Sequence, residues 1–269
     1  GSLTDYVGSV EDDSRRIRRG DLFIAVRGSE RDGHNYLTQA RAAGAAVTVA
    51  EDASHAGMPA IVVRSGKGRH AAAIVAAAAY DWPALRLRVV GVTGTNGKST
   101  TVHLLRHLLD QDGARAASIG TVGVLLGSGG DPVPDASGLT TPGPVELHRL
   151  LRTLVDAGVR WVAMEVSSHA LDQRRVDGLA FDVIVFTNLT RDHLDYHGSM
   201  AAYRSAKLRL AEHLGADGTL VVNADDTAWR ALKARGRRLT FSAGRARADV
   251  TARDVQFSPS GSRWTLVLG

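Results

Sequence analysis

The sequence contains no cysteine. This absence excludes a disulfide framework, a thiolate nucleophile and a zinc ion held by cysteine. Apolar runs long enough to cross a membrane are also missing, and the first residues lack the basic-then-apolar layout of a signal peptide. We therefore expect a protein of the cytoplasm.

Aromatic residues are scarce, at 5% of the chain, although the formal net charge is +5. The arginines are scattered, so the sequence predicts no basic surface with interleaved aromatic rings. A nucleic-acid-stimulated ATPase would need such a groove. We expect no nucleic acid and no membrane partner, and the positive charge suits small polyanionic substrates instead.

Lysine is rare as well, because only four of the 33 cationic residues are lysines: Lys67, Lys98, Lys207 and Lys233. Arginine cannot replace a residue that must lose its proton in order to react. Lys207 lies in the segment YRSAKLRL, where an exposed basic face would accept arginine equally well. Its presence indicates either a chemical role or chance.

What is present is an ordinary globular chain of 269 residues, 44% apolar and 23% charged, long enough for two domains. Short apolar runs alternate with helical stretches up to a boundary near Arg86, and the alternation repeats on a larger scale beyond it. This pattern predicts an α/β fold: a small α/β domain over residues 1–86 and a P-loop-type central domain over residues 87–269. The central domain should have a mostly parallel sheet covered by helices and end in a β-hairpin turning at residues 258–261.

The segment GVTGTNGKST, residues 91–100, lies between a predicted strand at 87–93 and a predicted helix at 98–111. Glycines there let backbone N–H groups close on phosphates, and the helix N-terminus favours anions. Lys98 would reach the β- and γ-phosphates, and Ser99 would bind Mg²⁺. The spacing departs from the general G-x-x-x-x-G-K-[ST] pattern, and a glycine turn without a ligand is the alternative interpretation.

Two further polar groups follow predicted strands of the same sheet. Glu165 ends the apolar run WVAMEV, and TNLTRDHLDYHG after FDVIVF carries Asp192, His193, Asp195 and His197. Ligands collect at the carboxyl ends of parallel strands, where a carboxylate or a neutral imidazole can bind a divalent metal. Surface or capping residues of the same types are the alternative.

Four motifs taken together resemble the Mur ligase family. They are GTNGKST, TTPG at Thr140–Gly143, EVSSHALDQRRV at residues 165–176, and FTNLTRDHLDYHGSMAAYRSAK at residues 186–207. The resemblance is to the MurE type, which adds the third amino acid of the peptidoglycan stem peptide. The segment DDSRRIRRGDLFIAVRGSERDGHNY is similar to the N-terminal domain of that type, which binds the UDP end of the substrate.

The resemblance implies roles for the polar residues above. ATP would be bound by Gly94, Thr95, Asn96, Gly97, Lys98, Ser99 and Thr100. Ser99 and Glu165 would hold one Mg²⁺, whereas His193, Glu165 and Lys207 as its carbamate would hold a second. Lys98, Glu165, His193 and Lys207 would form the catalytic set, with ATP as co-substrate.

The resemblance also implies substrate contacts. The muramoyl-peptide would contact Thr140, Thr141, Ser167, Gln173 and Arg175, and the uridine diphosphate part would contact Ser14, Ser29, Glu30 and Arg31. The reaction would proceed through an acyl phosphate that an incoming amine attacks. The sequence does not identify that amine, which is meso-diaminopimelate or L-lysine in this type, and we expect a monomer.

Complete members of the family continue after the hairpin with the rest of the central domain and a third, Rossmann-like domain, which this sequence lacks. We therefore expect the chain alone to bind nucleotide weakly and to ligate poorly. Three alternatives stay open. They are another Mur-type ligase, a folylpolyglutamate synthase, and a non-catalytic homologue that binds nucleotide and UDP-muramoyl-peptide.

Overall fold

The computed structural model describes residues 8–28, 31–111, 114–134, 138–233, 236–244 and 247–269. Contacts between Cα atoms divide the chain into two compact units. The first unit comprises the chain up to Ala84 together with Pro142–Asp156 and Gln173–Gly178, and the second comprises the remainder. The domain ranges 1–86 and 87–269 stay a prediction. Among the described residues, no helix combines the length and the apolar character needed to cross a membrane.

The elements, numbered in chain order, are mostly short. The strands are β1 Val10–Glu11, β2 Leu22–Ile24, β3 Val47–Ala50, β4 Ala60–Val62, β5 Arg88–Thr93, β6 Ala116–Gly120, β7 Gly123–Leu126, β8 Asp131–Pro132, β9 Trp161–Glu165, β10 Phe181–Phe186, β11 Leu214–Asn223, β12 Arg237–Ser242, β13 Val250–Ser258 and β14 Gly261–Leu268. The α-helices are α1 Leu37–Ala42, α2 Gly68–Ala79, α3 Lys98–Gln111, α4 Pro144–Asp156, α5 Ser168–Asp172, α6 Leu194–His197 and α7 Met200–Leu208. Short 3₁₀ turns cover Gly33–Tyr36, Pro83–Arg86, Arg209–His213 and Thr227–Trp229.

The first unit contains a parallel sheet in the order β1-β2-β3-β4. Apolar residues of β1, β2 and β3 pack against Ala72 and Ala76 of α2 and Val145 of α4. A second cluster lies around Phe23 and includes Leu37 and Ala40 of α1. Helices therefore supply the apolar partners of this small sheet, as the alternating pattern predicts.

The second unit is built on a larger sheet, ordered β14-β13-β12-β11-β10-β5-β9-β6-β7-β8 within the described residues. Its middle, from β13 across to β6, is parallel, and antiparallel pairs close both ends. Val102 of α3 packs on Val90, Val92, Ala163 and Val185 of the central strands. The predicted mostly parallel sheet, the helix at 98–111 and the terminal hairpin are confirmed.

Several strands of this sheet are not predicted from the sequence. β6 and β7 form an antiparallel hairpin in which Gly120 pairs with Gly123. Their sequences, AASIG and GVLL, are short and flanked by glycines, so they carry little strand signal. β12, with the sequence RRLTFS, begins with two charges and was also missed. The hairpin is relevant to the candidate site, because β6 pairs with β9 and β9 ends at Glu165.

Candidate active site

The phosphate loop joins β5 to α3, as predicted. Gly94 has a φ of 149°, and a Cβ there would lie 1.9 Å from Thr187 Oγ1. Gly97 has a φ of 84°, in the left-handed region that glycine favours. The loop path thus requires glycine at Gly94 for close approach and favours it at Gly97 for backbone conformation.

The segment that follows β10 holds this loop. Thr95 N donates to Asn188 O at 2.7 Å, and Asn96 N donates to Asn188 Oδ1 at 3.0 Å. Thr187 Oγ1 donates to Asn96 O at 2.7 Å. Sequence analysis missed Thr187 and Asn188, although the dipeptide TN directly after the apolar run FDVIVF was a usable signal. The loop is therefore pre-organised by its neighbour in the sheet.

Two of the chain's lysines meet on one carbonyl group of the loop. Lys98 Nζ donates to Gly94 O at 3.1 Å and to Thr95 O at 2.8 Å, while Lys207 Nζ donates to Gly94 O at 2.8 Å. Lys207 is only 1% exposed. Burial, reinforced by the neighbouring Lys98, lowers the pKa of Lys207 to about 7. A large share of this amine is therefore neutral near neutral pH.

Tyr203 of α7 connects this pair of lysines with His193. Its hydroxyl lies 3.2 Å from Thr95 Oγ1, and Lys207 Nζ lies 4.6 Å from the centre of its ring. The His193 ring is 6.0 Å from the same ring, centroid to centroid. His193 has a φ of 51°, an uncommon conformation for a residue other than glycine. The fold thus gathers the loop, Lys207 and His193 around one buried tyrosine.

A cluster of aromatic rings fixes the segment that carries His193. His169 of α5 lies 4.8 Å from His193, 4.2 Å from Tyr196 and 5.5 Å from His197, between ring centroids. His197 Nε2 is 3.0 Å from Ser168 Oγ. Burial is the main cause that lowers the pKa of His197. Because His197 packs within these rings, we interpret it as a residue that supports the position of His193. His169 was not predicted, because a single histidine in EVSSHAL has no signature of its own.

Glu165 is 1% exposed at the end of β9. Thr121 N donates to its Oε1 at 3.0 Å, and Thr121 Oγ1 donates to its Oε2 at 3.4 Å. Within the described residues, no cationic side chain lies within ion-pair distance of this carboxylate. A buried carboxylate is costly unless a cation compensates it, and Lys98 acts on Glu165 only from beyond ion-pair distance. Glu165 therefore suits a metal ion.

The described residues contain no group of three or more histidine, aspartate and glutamate side chains arranged to hold a metal. Glu165 and His193 alone would leave a divalent cation short of protein ligands. The buried Lys207 is a group whose chemistry could supply another ligand, because a carbamate at its amine would present anionic oxygens. The donor set thus fits Mg²⁺ only with that modification or with ligands from bound phosphates.

The TTPG motif lies beside Glu165. Thr141 is buried, and its hydroxyl donates to Glu165 O at 2.9 Å and accepts from Ser167 N at 3.1 Å. Thr140 Oγ1 lies 3.0 Å from Thr121 Oγ1. Thr140, Thr141 and Ser167 are thus brought together with Glu165, and their contacts with the muramoyl-peptide stay predictions.

The remaining predicted substrate residues belong to the first unit. Arg175 Nη2 donates to Gln173 Oε1 at 2.7 Å. Ser14 and Arg31 line a cavity of about 460 Å³ with Tyr36 and Gln39. Ser29 and Glu30 lie outside the described residues. The uridine diphosphate assignment rests on the resemblance and stays a prediction.

Comparison with known families identifies the class of protein. The Mur ligase middle domain matches residues 92–268, and the family described as the Mur ligase family catalytic domain matches residues 7–86. The chain belongs to the Mur ligase family, which confirms the resemblance seen in the motifs.

The similar proteins include UDP-N-acetylmuramoyl-L-alanyl-D-glutamate–2,6-diaminopimelate ligases. That of Geobacter sulfurreducens is 43% identical over 274 residues, which cover 99% of this chain and 53% of that protein. That of Xanthomonas campestris is 44% identical, covering 96% of this chain and 52% of that protein. The chain thus spans about half the length of the curated relatives it matches.

Solved structures agree with this placement. A ligase of the same name superposes with a TM-score of 0.79 at 28% identity, over 97% of this chain and 53% of that chain. A Mycobacterium tuberculosis folylpolyglutamate synthase complexed with ADP and AMPPCP gives a TM-score of 0.58 at 14% identity, over 73% of this chain and 51% of that chain. The second likeness is one of fold alone.

Proposed function

We propose that this protein is an ATP-dependent ligase that adds a diamino acid to UDP-N-acetylmuramoyl-L-alanyl-D-glutamate in peptidoglycan synthesis. The observation that carries the proposal is the meeting of Lys98 and the buried Lys207 on Gly94 O. A phosphate loop alone supports nucleotide binding in general. A buried reactive lysine beside it supports a site for two anionic substrates. The names of the relatives at 43–44% identity support the same substrate.

The reaction joins two anions, and the loop residues offset their charge. The terminal carboxylate of the substrate attacks the γ-phosphorus of ATP, the bond to the β–γ bridging oxygen breaks, and ADP leaves. An amine then attacks the acyl phosphate, inorganic phosphate leaves, and the amine loses a proton. Lys98 and the backbone N–H groups of the loop would hold the phosphates in place throughout.

Magnesium would be held by Ser99 and Glu165 at one site, and by Glu165, His193 and the Lys207 carbamate at a second. When bound, it would neutralise negative charge on the phosphates. The carbamate forms when the neutral Lys207 amine attacks CO₂, which creates an N–C bond and releases one proton to water. The low pKa of Lys207 supports this step, since a protonated amine has no free electron pair.

The test supplies ATP, Mg²⁺ and UDP-muramoyl-dipeptide with either meso-diaminopimelate or L-lysine. We expect ATP and UDP-muramoyl-dipeptide to bind and a low yield of the UDP-muramoyl-tripeptide with one of the two amines, detected by mass spectrometry. Lys98→Ala should lose that product. Reduction with borohydride before the amine is added should convert the acyl phosphate into a primary alcohol. Failure of the chain to bind either ATP or UDP-muramoyl-dipeptide would overturn the proposal.

Other outcomes separate the alternatives. Binding of both ligands without release of phosphate indicates either a non-catalytic homologue or a fragment that needs a further domain for turnover. Turnover with UDP-muramoyl-L-alanine or with a UDP-muramoyl-tripeptide, in place of the dipeptide, indicates another Mur-type ligase. Turnover with a folate substrate indicates a folylpolyglutamate synthase. In the two cases with turnover the phosphate loop would keep its role, and only the acceptor would change.

A further inference from the structure

The carboxylate of Glu165 is held by one residue that sequence analysis did not single out. Both of its oxygens contact Thr121, one through the backbone N–H at 3.0 Å and the other through the side-chain hydroxyl at 3.4 Å. A carboxylate has about four sites at which it accepts hydrogen bonds. These contacts leave the remaining sites for a cation or for other donors.

The turn between β6 and β7 sets where that carboxylate lies. A Cβ at Gly120 would be 2.2 Å from Glu165 Oε1, so the carboxylate packs directly on the glycine backbone. Gly120 pairs with Gly123, whose φ is 98°, and Thr121 lies between them. The tight turn therefore fixes both the position of the Thr121 donors and the closest approach of Glu165.

The Thr121 hydroxyl also reaches Thr140, whose Oγ1 is 3.0 Å from it. The Thr121 hydroxyl has a single proton, so when it donates that proton to Glu165 it accepts a hydrogen bond from Thr140. The three groups form a chain in which Thr140 donates to Thr121 and Thr121 donates to Glu165. In such chains each bond polarises the next.

We propose that Thr121 is a positioning residue that couples binding of the muramoyl-peptide at Thr140 to binding of a divalent cation at Glu165. This inference rests on the proposed function, which assigns those two ligands to the two ends of the chain. Thr121 is exposed, so no burial barrier separates it from an arriving substrate. A ligand that reorients the Thr140 hydroxyl changes the donor that Glu165 receives, and therefore its affinity for a cation.

The test measures that coupling directly. Mn²⁺ serves as the probe, and its free concentration is followed by electron paramagnetic resonance in saturating ADP, with and without UDP-muramoyl-dipeptide. In the wild-type protein we expect the dipeptide to change the Mn²⁺ affinity about fivefold, the scale of one hydrogen bond. Thr121→Val keeps the shape and the backbone N–H but lacks the hydroxyl, and should bring that ratio close to one. Thr121→Ser should restore it.

A merely structural role would lower the melting temperature or both affinities without changing their ratio. Thr140→Val provides an independent variant that should also remove the coupling, and Thr121→Val with Thr140→Val should remove no more than either alone. An unchanged ratio in Thr121→Val, or in Thr140→Val if the first variant does not fold, overturns the inference. Failure of the wild-type protein to bind Mn²⁺-ADP or the dipeptide instead counts against the proposed function.

Discussion

Two buried basic side chains, one in each unit, respond to burial in the same direction but in different surroundings. Lys207 of the second unit donates to Gly94 O and lies over the Tyr203 ring. His148 on α4 of the first unit is fully buried, and within the described residues neither ring nitrogen has a hydrogen bond of ordinary geometry. Burial lowers the pKa of Lys207 to about 7 and that of His148 to about 4.

The difference shows that a lowered pKa alone does not mark a functional group. Lys207 has polar neighbours from the phosphate loop and from α7, and they face a place where anions are expected. His148 lies on α4, which packs against α2 and the small sheet, and the backbone of Asp177 is a polar neighbour of its ring. We therefore interpret Lys207 as reactive and His148 as a core residue that limits stability in acid.

The largest effect that separates the two residues concerns carbamylation. In buffer containing ¹³C-bicarbonate, we expect a carbamate signal from Lys207 by ¹³C NMR, since we propose its neutral amine as the nucleophile. Lys207→Arg should abolish that signal, since a guanidinium stays protonated. His148→Leu should leave it unchanged.

The exposed lysines provide matched controls for that experiment. Lys67 and Lys233 are both on the surface. Lys67→Arg and Lys233→Arg should keep the signal at full intensity. A signal that survives in Lys207→Arg would remove the distinction between Lys207 and the other lysines.

Features of the second unit that depend on local signals were predictable from the sequence. The phosphate loop, the bounds of α3 and the position of Glu165 at a strand end were predictable, because glycines, a GKST run and apolar periodicity are local signals. The terminal hairpin was predictable for the same reason, since strict alternation marks a strand. The rareness of lysine drew attention to Lys207 but left a chemical role and chance equally open.

What sequence reasoning missed depends on contacts between distant segments. Thr121 contacts Glu165 only because β6 pairs with β9, and a lone threonine after a short run carries no signature. Asn188 was missed because its role is to hold the loop backbone and not a ligand. His148 shows the same limit, since a polar residue in an amphipathic helix gives no sign of being fully buried.

The second effect is smaller and concerns acid stability. The folded-state pKa of His148, about 4, lies below its ordinary value of 6.5. Above pH 6.5 both states are neutral, and the full stability is present. As the pH falls from 6.5 towards 4, the unfolded chain takes up a proton that the folded chain does not, so stability falls by up to about 3 kcal/mol.

Hydrogen exchange of peptides covering α2 and α4, compared between pH 7.5 and pH 5, measures this loss locally. His148→Leu should flatten the pH dependence and should not weaken protection at pH 7.5, because leucine brings no unpaired polar atom into the core. Equal pH dependence in the wild-type protein and the variant would show that His148 is protonated in the folded state.

The smallest expected effect concerns Tyr203. Variants of this residue test whether its ring or its hydroxyl maintains the surroundings of Lys207. Tyr203→Phe removes only the contact of 3.2 Å with Thr95 Oγ1, and Thr95 keeps its bonds to Thr190 N at 2.9 Å and Thr190 O at 3.2 Å. We expect at most about a fivefold loss of ADP affinity by calorimetry, with the carbamate signal intact. Tyr203→Leu also removes the ring next to Lys207 and His193, so it should weaken the carbamate signal. If Tyr203→Phe already loses that signal, the hydroxyl, and not the ring, maintains the environment that distinguishes Lys207 from His148.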